Sequence, residues 1–339
     1  MSKSANLQIL LDNFMNTVPD LLTALVIDYN GFIIAKNSQK NFDDELIGGI
    51  TTLLDQTLNR IKSLTKSEHG SGSFNIDHFR LFYIQLGKST GALLVLIGDT
   101  YSHLDYYIPY SHIIADKVSL TLSHHEVPCN IPIIDEEAKL LLNPKSKNLM
   151  IIGSQAVGKS ALVRKLCSND FTENYYPTIG VCLIEKHLKI ENNNECIINV
   201  FDLASLKSFG KVRRYFLNYS DGILIMFDYS REDSLHEVED WITEARQFVQ
   251  NKDLPIAIVG NKSDLNANKE IMKQKAEKLA KDNNCRFFEI SVLTGEGVGT
   301  MLGIVTRQLF LNNENKKLPL KSDKETDRLD NIRNKLASL

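Results

Sequence analysis

Eight consecutive residues, Gly153-Ser154-Gln155-Ala156-Val157-Gly158-Lys159-Ser160, constrain this 339-residue chain more than any other stretch. They read G-x-x-x-x-G-K-S and stand between an apolar run, Leu149–Ile152, and a helix-like run, Ala161–Cys167. Strand, glycine-bearing loop and helix in that order make a cradle for phosphate. Gly153 and Gly158 let the backbone wrap the anion closely with its N–H groups turned inward. The helix that opens near Lys159 adds the positive end of its dipole. Lys159 is expected to reach the β- and γ-phosphates of a nucleotide, and the Ser160 hydroxyl to ligate Mg²⁺.

The chain is long enough for about two domains. A hydrophobic content of 43% and a charged content of 24% fit a soluble globular protein. The net charge of −3 gives no reason to expect nucleic acid as a partner. Five scattered cysteines, none in C-x-x-C spacing, suggest neither a zinc site nor a disulfide framework, and a reducing cytoplasm fits them best. No signal-peptide core opens the chain, no apolar run approaches the ~20 residues of a membrane span, and no cysteine stands near the end for prenylation. Membrane attachment is therefore expected only at the periphery, through partners.

Two blocks flank a proline-bearing segment with Pro128, Pro132 and Pro144, in which residues 135–142 could form a short helix. The expected division is 1–123, a linker over 124–146, a second domain over 147–312, and a charged tail over 313–339. In the tail, Leu329, Ile332 and Leu336 share a helical face, read as a solvated or transient helix.

In the first block, Leu10, Leu11, Phe14, Met15 and Val18 recur at helical spacing. Asn30-Gly31 between apolar runs signals a hairpin. Ile47, Ile50, Leu54, Leu58, Ile61 and Leu64 line a long helix. Three strands over 71–77, 78–85 and 92–98 follow, then a helix over 104–122. This order resembles the roadblock domain, an α/β/α module on a five-stranded antiparallel sheet, with longin-like and profilin-like modules as competitors. No catalytic constellation appears in this block. His69, His78, His103 and His112 read as ordinary polar positions rather than ligands.

The second block alternates strand and helix from Leu149 to Asn312, which predicts a mostly parallel six-stranded sheet with helices on both faces and one antiparallel hairpin over 181–202. Ligand then binds beyond the carboxyl ends of the strands, where the phosphate loop lies. Asn261-Lys262-Ser263-Asp264 follows the apolar run Ile256–Gly260. A carboxylate there accepts two hydrogen bonds from guanine N1–H and its 2-amino group, a pair that adenine does not offer. The stem of Lys262 covers the base.

With these motifs residues 147–312 resemble the Ras-like small GTPases, most closely the Rab and Rag-like branches. The resemblance implies GTP/GDP and Mg²⁺ as ligands. It assigns nucleotide contacts to Gly153, Ser154, Gln155, Ala156, Val157, Gly158, Lys159, Ser160, Ala161, Phe171, Thr178, Ser205, Asn261, Lys262, Asp264, Ser291, Val292 and Leu293. Thr178 stands 19 residues after Lys159, as in that family, within a Pro-Thr-Ile-Gly stretch. By the resemblance it ligates the metal with Ser160 and Asp202 and feels the γ-phosphate. Phe171 falls where the family stacks a ring on guanine. The Val292 N–H falls where the family meets the guanine oxygen.

One departure concerns catalysis. After Asp202 that family has x-x-Gly-Gln, and this chain has Leu203-Ala204-Ser205-Leu206. Leu206 has no polar atom with which to orient water, so no catalytic residue is assigned and hydrolysis is expected to be slow. Arg213 and Arg214 are read as surface charges rather than arginine fingers. A switch that binds GTP and hydrolyses it slowly is expected, with a non-hydrolysing GTP-bound scaffold as the alternative. An ATP-dependent kinase or ATPase is disfavoured by Asn261-Lys262-Ser263-Asp264. The roadblock-like block implies a homodimer or GTPase partners, and an activator and an exchange factor are expected besides.

Overall fold

Asn30-Gly31 turns the chain where the sequence asks for a turn. Gly31 takes φ 90°, a conformation that costs a glycine little. The Asp28 carboxylate accepts hydrogen bonds from the N–H groups of Asn30 and Phe32, so side chain and backbone close the turn together. The hairpin pairs β1 (Leu21–Asp28) with β2 (Ile33–Ser38).

The computed structural model describes residues 3–18, 21–39, 47, 49, 56, 60, 70–76, 79–87, 90–99, 104–123, 146–168, 178, 180–190, 194–265 and 269–311. The chain divides into two compact units, Met1–Val298 and Gly299–Leu339. Phe171, the segment 135–142, the tail and most of the helix expected over 47–64 lie outside the described residues. Ile47, Gly49, Gln56 and Arg60 of that last span are helical.

The first sheet has the order β2-β1-β5-β4-β3, with β3 (Ser71–Ile76), β4 (Phe79–Gln85) and β5 (Ala92–Asp99). Every neighbouring pair is antiparallel. Its strands alternate two apolar faces rather than one. Ala24, Val26, Phe82, Ile84, Leu94 and Leu96 share a cluster with α1 (Lys3–Thr17) and α2 (Leu104–Leu122). Leu25, Ile27, Leu81, Tyr83, Leu93, Val95 and Ile97 cluster with Ile47 on the other face. α1 and α2 therefore cover one face and Ile47 packs on the other, so both faces are apolar, which is why β1 and β5 read as nearly continuous apolar runs.

The second sheet has the order β11-β10-β9-β6-β8-β7. Its members are β6 (Ser146–Gly153), β7 (Val181–Ile190), β8 (Asn194–Leu203), β9 (Gly222–Asp228), β10 (Ile256–Asn261) and β11 (Arg286–Glu289). The sheet is mixed. β7 runs antiparallel to β8, and β8, β6, β9, β10 and β11 pair in parallel. The helices are α3 (Lys159–Ser168), α4 (Gly210–Leu217), α5 (Glu232–His236), α6 (Val238–Phe248) and α7 (Lys269–Asp282). The helix α8 (Val298–Leu311) lies almost wholly in the second compact unit.

Two helical stretches of the second block are interrupted. A 3₁₀ turn, Lys207–Phe209, precedes α4. Glu237 separates α5 from α6, and Val249 beyond α6 is extended at ψ 140°. Ser234 explains the first turn of α5: its Oγ accepts from Asp228 N–H and donates to Arg231 O, fixing the helix start to the end of β9.

One apolar cluster runs from the first block into the second. It joins Tyr110, Ile114 and Val118 of α2 to Val181, Phe209, Val212 and Phe216. α2 packs on the start of the edge strand β7 and on α4. The Tyr110 and Tyr215 hydroxyls are 2.5 Å apart, and Tyr110 meets Phe216 edge-on at 6.3 Å. Phe216 is fully buried and also packs on Phe201 at 5.4 Å. Phe216→Ala is expected to cost about 3–5 kcal/mol, read as a shifted urea unfolding midpoint; a loss below about 1 kcal/mol would contradict this packing.

Candidate functional site

β6 ends in a loop that bends sharply back before α3. Gly153 has φ 136° and Gly158 has φ 104°, and Ala156 also adopts φ 61°. Neither glycine tolerates a side chain. A Cβ on Gly153 would lie 2.2 Å from the Met226 carbonyl oxygen, and one on Gly158 would lie 2.2 Å from Asn261 Nδ2. The loop is thus pressed against β9 on one side and the end of β10 on the other. Among the described residues none accepts a hydrogen bond from the N–H groups of Gln155, Ala156, Val157 or Gly158. That is the donor array an anion needs.

Lys159 is buried at the centre of the loop. Its ammonium donates to Gly153 O at 2.9 Å, Ser154 O at 2.7 Å and Ser205 Oγ at 2.6 Å. Burial pushes its pKa down to about 8; the nearby Asp202 carboxylate opposes the shift, and Arg213 and Arg231 add to it. A buried cation whose nearest partners are carbonyls and a hydroxyl is short of negative charge. A phosphate group supplies it.

Three oxygens meet beside Lys159. Thr178 Oγ1 is 3.0 Å from Ser160 Oγ and donates to Asp202 Oδ2 at 2.9 Å, and Ser160 Oγ donates to the same Asp202 oxygen. Asp202 is 1% exposed, and its other oxygen, Oδ1, is buried without a hydrogen-bond partner. An orphaned carboxylate oxygen beside two hydroxyls fits a hard divalent cation that keeps most of its ligands from water and phosphate. Among the described residues no cluster of three or more His, Cys, Asp or Glu offers a softer metal site.

On the other side of the loop Asn261 holds three segments together. Its Nδ2 donates to Val157 O at 2.9 Å and its Oδ1 accepts from Val292 N–H at 3.1 Å. The Val292 N–H expected to meet a base oxygen is thus held by Asn261. Lys262 has φ 62° and reaches over the loop to Ala156 O at 3.3 Å and Asp228 Oδ2 at 2.6 Å. Ser291 Oγ donates to Asp264 Oδ1 at 2.5 Å and accepts from Thr294 N–H. Asp264 itself is exposed, not buried. Its position beyond the strand end leaves desolvation to whatever base covers it. Gln155, Ala156 and Leu293 are also exposed, and Ala161 is half-buried.

Several residues of the site carry no motif. Asp228 ends β9 fully buried and accepts from Ser230 N–H, Ser230 Oγ and Lys262. Arg231 donates to Gln155 O at 2.7 Å. Glu237 accepts from Ser154 Oγ, which also accepts from Trp241 Nε1 at 3.4 Å. The only sequence signal for them is position: Asp228 ends the strand next to β6, and Arg231 and Glu237 follow it.

Arg213 corrects an expectation. It is 5% exposed, not a surface charge. Its guanidinium donates to Ala204 O at 2.7 Å and forks onto both Glu244 oxygens at 2.9 and 3.2 Å, lying 4.9 Å from the Trp241 ring centroid. A planar fork serves this better than a point charge. Arg214, by contrast, is exposed and lies over Phe248. Leu206 is half-buried and packs onto the apolar cluster. His112 is 2% exposed and stands edge-on to Phe82 and Phe209, a buried position rather than an ordinary polar one.

Comparison with known proteins covers this half of the chain. Residues 148–310 match the sequence model of the Ras family. The Ras-related protein Rab-4 of Dictyostelium discoideum is 32% identical over 161 residues, 48% of this chain and 78% of that protein. Rab-11C of the same organism is 33% identical over 164 residues, 48% of this chain and 70% of that protein. Human Rab-39A is 29% identical over 166 residues, 48% of this chain and 76% of that protein. Gly153→Ala, which sets a methyl group against the Met226 carbonyl, is expected to abolish retention of guanine nucleotide and to lower the melting temperature; undiminished binding in an equilibrium titration would contradict the geometry described here.

Proposed function

Because this chain belongs, through residues 148–310, to the Ras family of small GTPases, we propose that it is a GTP-binding switch that hydrolyses GTP slowly. The observation that carries this reading is the convergence of Ser160, Thr178 and Asp202 beside a buried, anion-short Lys159. In it, the loop N–H groups and Lys159 grip the phosphates. Ser160, Thr178 and Asp202 hold Mg²⁺, whose chemistry is to neutralise charge on the phosphate oxygens. Asp264 accepts the two guanine donors while Ser291 fixes its orientation, and the Lys262 stem lies along the base. Ser205 and Thr178 answer to the third phosphate, and they are the residues whose partners change when it leaves.

Slow turnover follows from Leu206. Its side chain packs on the apolar cluster and has no atom with which to align water. The same observation favours a second reading, a GTP-bound scaffold that does not hydrolyse at all. The first block, read as a roadblock-like module over residues 1–123, mediates dimerisation or regulation of the GTPase domain over residues 147–312. An activator and an exchange factor complete the cycle. Among the described residues no helix is long and apolar enough to cross a membrane, and we place the protein in the cytoplasm, reaching membranes through partners.

Two measurements test this reading. Asp264→Asn replaces an acceptor by a donor against guanine, so affinity for GDP is expected to fall by about two orders of magnitude or more in calorimetric titration; an unchanged affinity sinks guanine selection by this carboxylate. Leu206→Gln restores a polar group at the water position. Single-turnover phosphate release is expected to be slow in the wild-type chain and faster in the variant, and no release from either over many hours would leave the scaffold reading standing.

A further inference from the structure

Two segments frame the end of the site where a third phosphate would lie, and they are bonded to each other. Gly180 O accepts from Ala204 N–H at 2.9 Å, so the stretch after Thr178 and the stretch after Asp202 are tied. Both segments lie under α2. The His112 ring stands edge-on to Phe209 at 5.5 Å. Gly180, at φ 79°, comes so close that a Cβ on it would lie 2.8 Å from His112 Cβ. Cys182, half-buried, shares a hydrogen bond with Asp116 of α2. Tyr110 completes the contact through the Tyr215 hydroxyl.

α2 thus rests on positions two and four residues beyond Thr178, and on Phe209, four residues beyond Ser205. With α2 in place, Thr178 already stands against Ser160 and Asp202, and Ser205 against Lys159. On the guanine-nucleotide reading above, a nucleoside diphosphate ends short of Thr178 and Ser205, whereas a triphosphate engages both. A ligand shifts a conformational equilibrium only by its difference in affinity between the two states, and that coupling is reciprocal. We propose that docking of α2 on the Gly180–Cys182 and Phe209 segments and binding of a nucleoside triphosphate stabilise one another. The N-terminal block then acts as a built-in partner that reads the third phosphate. This rests on the guanine-nucleotide reading above and adds to it where the sensing surface lies and what occupies it.

The test uses the full chain with Mg²⁺. Dissociation constants for fluorescent GDP and for a non-hydrolysable fluorescent GTP analogue are measured for the wild type, His112→Ala and Tyr110→Phe. The second variant removes only one hydroxyl, so it keeps the test alive if the first does not fold. Alkylation of Cys182, mapped by mass spectrometry, reports α2 docking independently of nucleotide affinity. The expected result is that folded variants keep their GDP affinity within about twofold and lose about fivefold or more for the analogue. Cys182 in the wild type reacts more slowly with the analogue bound than with GDP, and that difference shrinks in the variants. Equal losses for both nucleotides, or an unchanged affinity ratio with Cys182 labelling indifferent to nucleotide, overturn the coupling alone. A wild-type chain that holds neither nucleotide overturns the guanine-nucleotide reading as well.

Discussion

A lysine ammonium buried without a carboxylate in contact is the constraint from which the rest of the site follows. Lys159 is held by two carbonyls of its own loop and by Ser205. Those partners compensate the lost hydration only in part, as its lowered pKa reflects. The loop keeps this arrangement because its flanks leave it no room. Gly153 abuts the Met226 carbonyl, Gly158 abuts Asn261, and Asn261 bonds both Val157 and Val292. The result is a cation short of negative charge held at one point, the kind of setting that suits an anionic ligand.

The same logic of fixed neighbours applies to the segments that follow Thr178 and Asp202. Ser205 bonds Lys159, Ala204 is pinned by Arg213 and by Gly180, and Leu206 is drawn onto the apolar cluster. Arg213 is in turn clamped by Glu244 on α6. Ser205 and Leu206, which stand where the resemblance places glycine and glutamine, are thus tied to Lys159 and to the core. The face these residues form is not open. α2 lies on it, inside one apolar cluster that continues into the first sheet.

Much of this was legible in the chain. The phosphate loop, the Asn30-Gly31 hairpin and the single antiparallel pair β7–β8 rest on local chemistry that needs no distant partner. So do the Thr178 spacing and the Asn261–Asp264 run. Arg213 was misread because a charged residue on an amphipathic helix is usually solvated. Only the approach of Ala204 O and Glu244 makes it internal. Asp228, Arg231 and Glu237 were missed for a related reason: a single acid or base at a strand end or in a helix has no pattern, and its role depends on which loop lies across from it. The exposure of Asp264 was not legible either, since how far a strand-end loop is covered depends on its neighbours.

By itself the sequence settled which backbone shapes were available: where a loop with two left-handed glycines must fall, which runs are strands, and which ligand chemistry the short motifs suit. Tertiary structure alone decided which of two apolar faces each strand gives to which helix. It also set α2 against Gly180 and Phe209, and left one Asp202 oxygen without a partner beside two hydroxyls. The physical reason is one of range. Turn and loop preferences act over a few bonds and are written residue by residue. Burial, ion pairing and the approach of one block to another depend on contacts between residues far apart in the chain, and these exist only once the whole core has closed.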